Sequence, residues 1–141
     1  MFCVSIRGIV DTVIKNEEIL LCRETAAAFM GLSNGWGIPC KFYTTNKDII
    51  NSTYIQGIPV DEINMDNVWG SDGIYCTNKE RTICELIKFD CDIQAILESM
   101  SNYYYENDEC FTDALLSMVK QYDIEEQFNG FIQDAIDYYN E

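Results

Sequence analysis

With 141 residues, 48% of them apolar or aromatic, the chain is long enough to bury a core without disulfides or metal and too hydrophobic for a disordered segment. It contains no histidine, which removes Cys-His and Ser-His-Asp nucleophiles and the common catalytic zinc sets. The net charge of -15 is unevenly placed: from Asp92 to Glu141 twelve acids face the single base Lys120, a net -11. Such a surface repels nucleic-acid phosphate and anionic lipid and attracts basic protein surfaces over about 8 Å at physiological salt.

In chain order, Val4, Ile6, Ile9, Val10, Val13 and Ile14 fit neither period cleanly, so residues 4 to 15 read as a short amphipathic helix or an opening strand, with the helix preferred. Leu20 to Leu32, with the strong helix formers Glu24 to Ala28, predicts a second, ended near Gly31 by the turn signal Ser33-Asn34-Gly35. Ile38 to Thr45 has the β-branched and aromatic content of a strand, with Pro39 placing its start at a sheet edge. Ser52 to Ile58, Ile63 to Trp69 and Gly73 to Cys76 are three further short strands, separated by Gly, Pro, Asn or Asp.

From Ile74 to Asp90 a strand runs into a helix capped by Thr77 or Asn78, with Thr82, Ile83, Leu86 and Ile87 on or beside its buried face. Asp92 to Tyr105 predicts a helix with Ile93, Ile96, Leu97 and Met100 in the core. Thr112, as N-cap, to about Tyr122 predicts another, burying Leu115, Leu116 and Val119, and Ile124 to Tyr139 a last one with Phe128, Phe131, Ile132, Ala135, Ile136 and Tyr139 on its apolar stripe. The expected fold is a single α+β domain over 1–141: N-terminal helices, a small, mainly antiparallel four-stranded sheet, and a C-terminal bundle of about four helices.

The chain offers little chemistry. Seven irregularly spaced cysteines without a Cys-x-x-Cys pair read as small apolar residues of a cytoplasmic protein, so no metal or cofactor is expected. The start Met1 to Arg7 lacks a signal-peptide pattern and no stretch approaches a membrane span. Paired acids such as Glu17-Glu18 and Glu125-Glu126 arise by composition and point apart. The glycines of Met30 to Gly37 follow a helix and lack the Gly-Lys-Ser of a phosphate loop. Arg81, after Glu80 at the start of the central helix, reads as a structural residue whose planar fork holds a carboxylate or a strand carbonyl. Of Tyr103-Tyr104-Tyr105, three in a row on a helix, at least one belongs to the core and the others suit an interface.

Three motifs together resemble a known family. Leu21-Cys22-Arg23-Glu24-Thr25-Ala26-Ala27-Ala28-Phe29-Met30-Gly31-Leu32, the strand exit Tyr43-Thr44-Thr45-Asn46-Lys47, and Ile74 to Leu86 containing Glu80-Arg81-Thr82-Ile83 resemble the C-terminal antitoxin domain of AbiE-type antitoxins of type IV toxin-antitoxin systems. The resemblance spans roughly Leu20 to Glu141. It implies a non-enzymatic protein that counteracts a partner, in the family a nucleotidyltransferase toxin. The family also carries an N-terminal winged-helix domain, which the nineteen residues ahead of Leu20 are too few to form, so no promoter binding is expected.

The expected partner is therefore a protein with a basic surface, either a toxin nucleotidyltransferase or, in the alternative of an acidic phage or mobile-element inhibitor of anti-CRISPR or anti-restriction type, a nucleic-acid-binding nuclease. A homodimer is compatible with both. The residues expected to meet the partner are Glu98, Tyr104, Glu106, Asp108, Glu109, Asp113, Asp134 and Asp137, with Arg81 and Glu80 structural.

Overall fold

A computed structural model describes residues 5–140, so Cys3, Glu141 and the first residue of the predicted 4–15 helix lie outside it. The fold is α+β: two N-terminal helices, a five-stranded mixed sheet and four C-terminal helices. The elements are α1 (Ile6–Thr12), β1 (Ile19–Leu21), α2 (Arg23–Phe29), β2 (Cys40–Thr44), β3 (Ile55–Pro59), β4 (Val68–Ser71), β5 (Ile74–Thr77), α3 (Lys79–Lys88), α4 (Ile93–Glu106), α5 (Asp113–Gln121) and α6 (Glu125–Asp137).

The sheet order is β3-β2-β1-β5-β4, with β1–β2 and β4–β5 antiparallel and β1–β5 and β2–β3 parallel. The expected four-stranded, mainly antiparallel sheet is corrected on two counts. Ile19-Leu20-Leu21 opens no helix; it is the central strand, and a short apolar run buried on both faces carries no period that separates it from a buried helix. The parallel pairings arise because β3 follows β2 across residues 45–54, longer than a hairpin, and because β5, reached from β4 by a two-residue turn, pairs with β1 across all the chain between them. Pro39 stands just before β2, and β2 is internal to the sheet. The strand predicted over Ile63–Trp69 begins only at Val68: residues 60–67 are a loop whose turns are held by Asn64 and by the left-handed Asn67 (φ 58).

Two apolar cores share α2. Ala26 packs with Ile9, Leu21, Phe42, Ile55, Ile74 and Cys76 against the sheet, while its neighbour Ala27 packs with Leu32, Ile83, Leu86, Met100, Leu115 and Phe128 among the helices. Alanines at both positions let the helix lie close to both layers. Thr25 fixes α2 to the entry of β2: its buried hydroxyl donates to Gly37 O (2.7 Å) and accepts from Lys41 N (2.8 Å). Gly37, with φ 68, leaves room for this, since a Cβ there would sit 2.9 Å from Ala28 Cβ.

Side-chain caps start α3, α4 and α5: at Asn78, one of the two residues expected there, at Asp92, which the sequence reading did not name as a cap, and at the expected Thr112. Asn78 accepts from Arg81 N (2.9 Å), Asp92 from Ala95 N (3.0 Å) and Thr112 from Leu115 N (3.2 Å). Three residues assigned to apolar faces are exposed instead: Ile93, 60% accessible on the first turn of α4, Leu116, displaced by Met118 as the buried partner of Leu115 and Val119, and Tyr139, which lies beyond the end of α6.

Candidate functional site

The one dense polar cluster among the described residues lies where the sheet meets α3. Arg81 is the third residue of α3, and its Nε donates to Glu85 Oε2 (2.7 Å), four residues on and so on the same helical face. Its Nη1 donates to the carbonyls of Asn64 (2.7 Å) and Asp66 (2.8 Å), which pins the loop before β4 to the helix. Glu85 accepts a second bond, from the Tyr43 hydroxyl (2.7 Å); Tyr43 alternates with Phe42 along β2 and so leaves the sheet on the opposite face.

Burial, and then the Glu85 charge, raise the pKa of the Tyr43 hydroxyl, which keeps it a donor. Both ionic partners are almost fully removed from water, and every strong contact goes to the protein itself. The carboxylate that Arg81 holds comes from its own helix and the carbonyls from a loop, where a strand carbonyl was expected. Glu80 is half-buried in the first turn of α3, and burial, then its charge, raise Tyr103 to about 12 against the lowering effect of Thr112.

Beside this pair, Arg23 has a left-handed backbone (φ 53), stacks its guanidinium 4.1 Å over the Phe89 ring and buries Nε without a partner. Sequence reasoning passed over Arg23, Tyr43, Glu85 and Phe89. The spacing of Arg81 and Glu85 was the available signal.

The eight residues expected to meet a partner do not form one set. Glu98 is corrected: at 3% exposure it is interior, accepting from Asn34 N (2.9 Å) and Gln94 Nε2 (2.9 Å), and it ties the turn after α2 to α4. Its helix is enclosed by α3 and α6, so a carboxylate there serves packing. Tyr104 is half-buried between Tyr105 and Phe111, with ring centroids 5.1 and 5.0 Å away. Tyr103 is the core member of the triplet, and Tyr105 donates to Ile136 O (2.7 Å).

The remaining six are exposed. Glu106, Asp108, Glu109 and Asp113 gather at the corner between α4 and α5, while Asp134 and Asp137 lie on the last turns of α6. Asp123, Glu125 and Glu126 add a third group at the α5–α6 corner. Among the described residues, only Glu106 of all these is in an ion pair, with Lys79 (2.8 Å).

Cavities border the fold, about 160 Å³ beside Glu24, Asp92 and Glu98, about 250 Å³ between α1 and β5, and about 480 Å³ against residues 62–66, the last lined by Asn64 and Asp66, whose carbonyls accept from Arg81. In the first, burial alone would raise Glu24, but the bond from Lys41 Nζ (2.9 Å) holds it below its ordinary value. Among the described residues no three potential ligands gather as a metal site, the six cysteines are unpaired thiols, and no helix is long and apolar enough to cross a membrane. The chain matches no protein-family profile, no curated protein and no solved structure.

Proposed function

We propose that the chain is a non-enzymatic inhibitor of antitoxin type that neutralises a partner enzyme by presenting the carboxylates of α4–α6 to its basic surface. The observation that carries this is the exposed, uncompensated charge of the bundle: Asp108, Glu109, Asp113, Asp123, Glu125, Glu126, Asp134 and Asp137 have no ion-pair partner among the described residues. Held out by rigid helices, such charges raise association rates and select a cationic partner. The Arg81 cluster supports the same reading, because Nε and Nη1 of the guanidinium are engaged in holding loop and helix together. The resemblance to AbiE-type antitoxins makes a nucleotidyltransferase toxin the first partner to try.

One feature favours a second partner class. The acids stand in three groups, and the nine residues of α5, about 14 Å at 1.5 Å per residue, separate the group at the α4–α5 corner from the one at the α5–α6 corner. A surface that reads an extended polyanion, such as the groove of a nucleic-acid-binding nuclease, would engage all three.

The test replaces Asp108, Glu109, Asp113 and Asp134 by Lys. These positions are exposed and without ion-pair partners among the described residues, so the unfolding free energy in urea should stay within about 0.5 kcal/mol of the parent's. Growth rescue from a co-expressed AbiE-type nucleotidyltransferase toxin should be lost. Rescue by the variant equal to that of the parent overturns the proposal, and protection of DNA from a nuclease without toxin rescue selects the second partner.

A further inference from the structure

The two edges of the sheet are treated differently. In β3 the outward groups belong to Ile55, Gly57 and Pro59, since the parallel ladder uses Tyr54 O for Cys40 N and Val60 N for Thr44 O. Ser52 N donates to Ile55 O (2.9 Å), Asn51 Oδ1 accepts from Gly57 N (2.8 Å), and Pro59 has no N–H, so this edge is blunted by its own preceding loop.

At the other edge, Asn78 N donates to Asn67 O, which fixes 67, 69 and 71 as the residues bonded to β5. The N–H and C=O groups of Val68 and Gly70 therefore point outward, and among the described residues nothing bonds them. Large apolar side chains flank them on both faces: Trp69, 42% exposed, on the face of Cys76, and Tyr75, 51% exposed, on the other. Gly70 lets the Tyr75 ring lie along the edge, since a Cβ there would come 2.5 Å from Tyr75 Cδ1. Exposed acids stand at both ends, Asp66 before the strand and Asp72 in its Asp-Gly turn, and Arg7 already faces Asp72.

We infer that β4 is a docking edge, on which an extended segment of the basic partner adds a sixth strand. This rests on the proposed function for the sign of the partner's charge. Val68 and Gly70 supply main-chain bonds, Trp69 and Tyr75 take apolar side chains of the incoming strand, and Asp66 and Asp72 take Lys or Arg at its ends. A second copy is disfavoured: antiparallel self-pairing would set the acids of two chains, each at -15, along one seam.

The experiment titrates the whole protein with a synthetic peptide of alternating Val and Thr ended by Lys pairs, against the same peptide N-methylated at alternate residues. Amide exchange should slow about tenfold at Val68 and Gly70 with the first peptide alone, with Gly57 unchanged, and the effect should fade as salt rises. Equal binding of the N-methylated peptide, or no slowing at Val68 and Gly70, overturns the inference. So does protection of these amides in the peptide-free protein, where sedimentation tells a second copy from cover by the chain itself. The four-Lys bundle variant should bind the peptide as the parent does, so failure of the edge and failure of the bundle are read separately.

Discussion

Arg81 and Glu85 are hard to replace one at a time. Removing the guanidinium leaves a buried carboxylate with the Tyr43 hydroxyl as its one remaining bond and frees the carbonyls of Asn64 and Asp66. A buried charge stripped of its partner costs about 3–5 kcal/mol, whereas replacing both members by apolar side chains of similar size is often close to neutral. Arg81→Ala should therefore lower stability by about that amount in urea denaturation, and the double change Arg81→Met with Glu85→Leu by clearly less than the two single changes combined. A single variant that melts with the parent yet fails to act on its partner would move Arg81 from scaffold to binding residue.

At the scale of elements, the chain declares its helices better than its sheet. Thr112, and Asn78 as one of two candidates with Thr77, are read as caps from residue type alone, because a short oxygen-bearing side chain ahead of an apolar period satisfies a free amide wherever the helix packs. β1 is missed because its three residues are central and covered on both faces, and Glu98 is misplaced because neighbours on two sides of α4 bury positions that its own period would leave outside. Which sheet edge is closed depends on contacts with a loop, and no local pattern shows it. That closure can be opened. Asn51→Ala removes the acceptor of Gly57 N–H at the rim, a loss of about 0.5–1.5 kcal/mol. Exchange of the Gly57 amide should become fast while that of Ile58, bonded within the ladder, stays slow; continued protection of Gly57 would mean the loop closes the edge without Asn51.

Across the whole molecule, thiols are distributed through both cores, and this ties stability to alkaline pH. Burial raises Cys40 to about 11 and Cys76 to about 12 beside the sheet, and Cys84 to about 12 and Cys91 to about 11 among the helices, from an ordinary 9.0; for the last two, nearby glutamates add to the rise. Each folded value lies above the unfolded one, so between the two the folded chain holds the extra proton. The stabilisation is then complete below about pH 8.5 and lost as the pH climbs through 11 to 12. The -15 charge acts in the same direction, since every thiolate formed adds to a repulsion already present. The urea midpoint should hold level from about pH 7 to pH 8 and fall steadily from about pH 9 to pH 10.5, with a shallower fall when Cys76 and Cys84 are replaced by Ala, measured against each variant's own neutral value. A parent curve flat through that window would mean that these thiols ionise as readily in the folded chain as in the unfolded one, and that the two cores admit water.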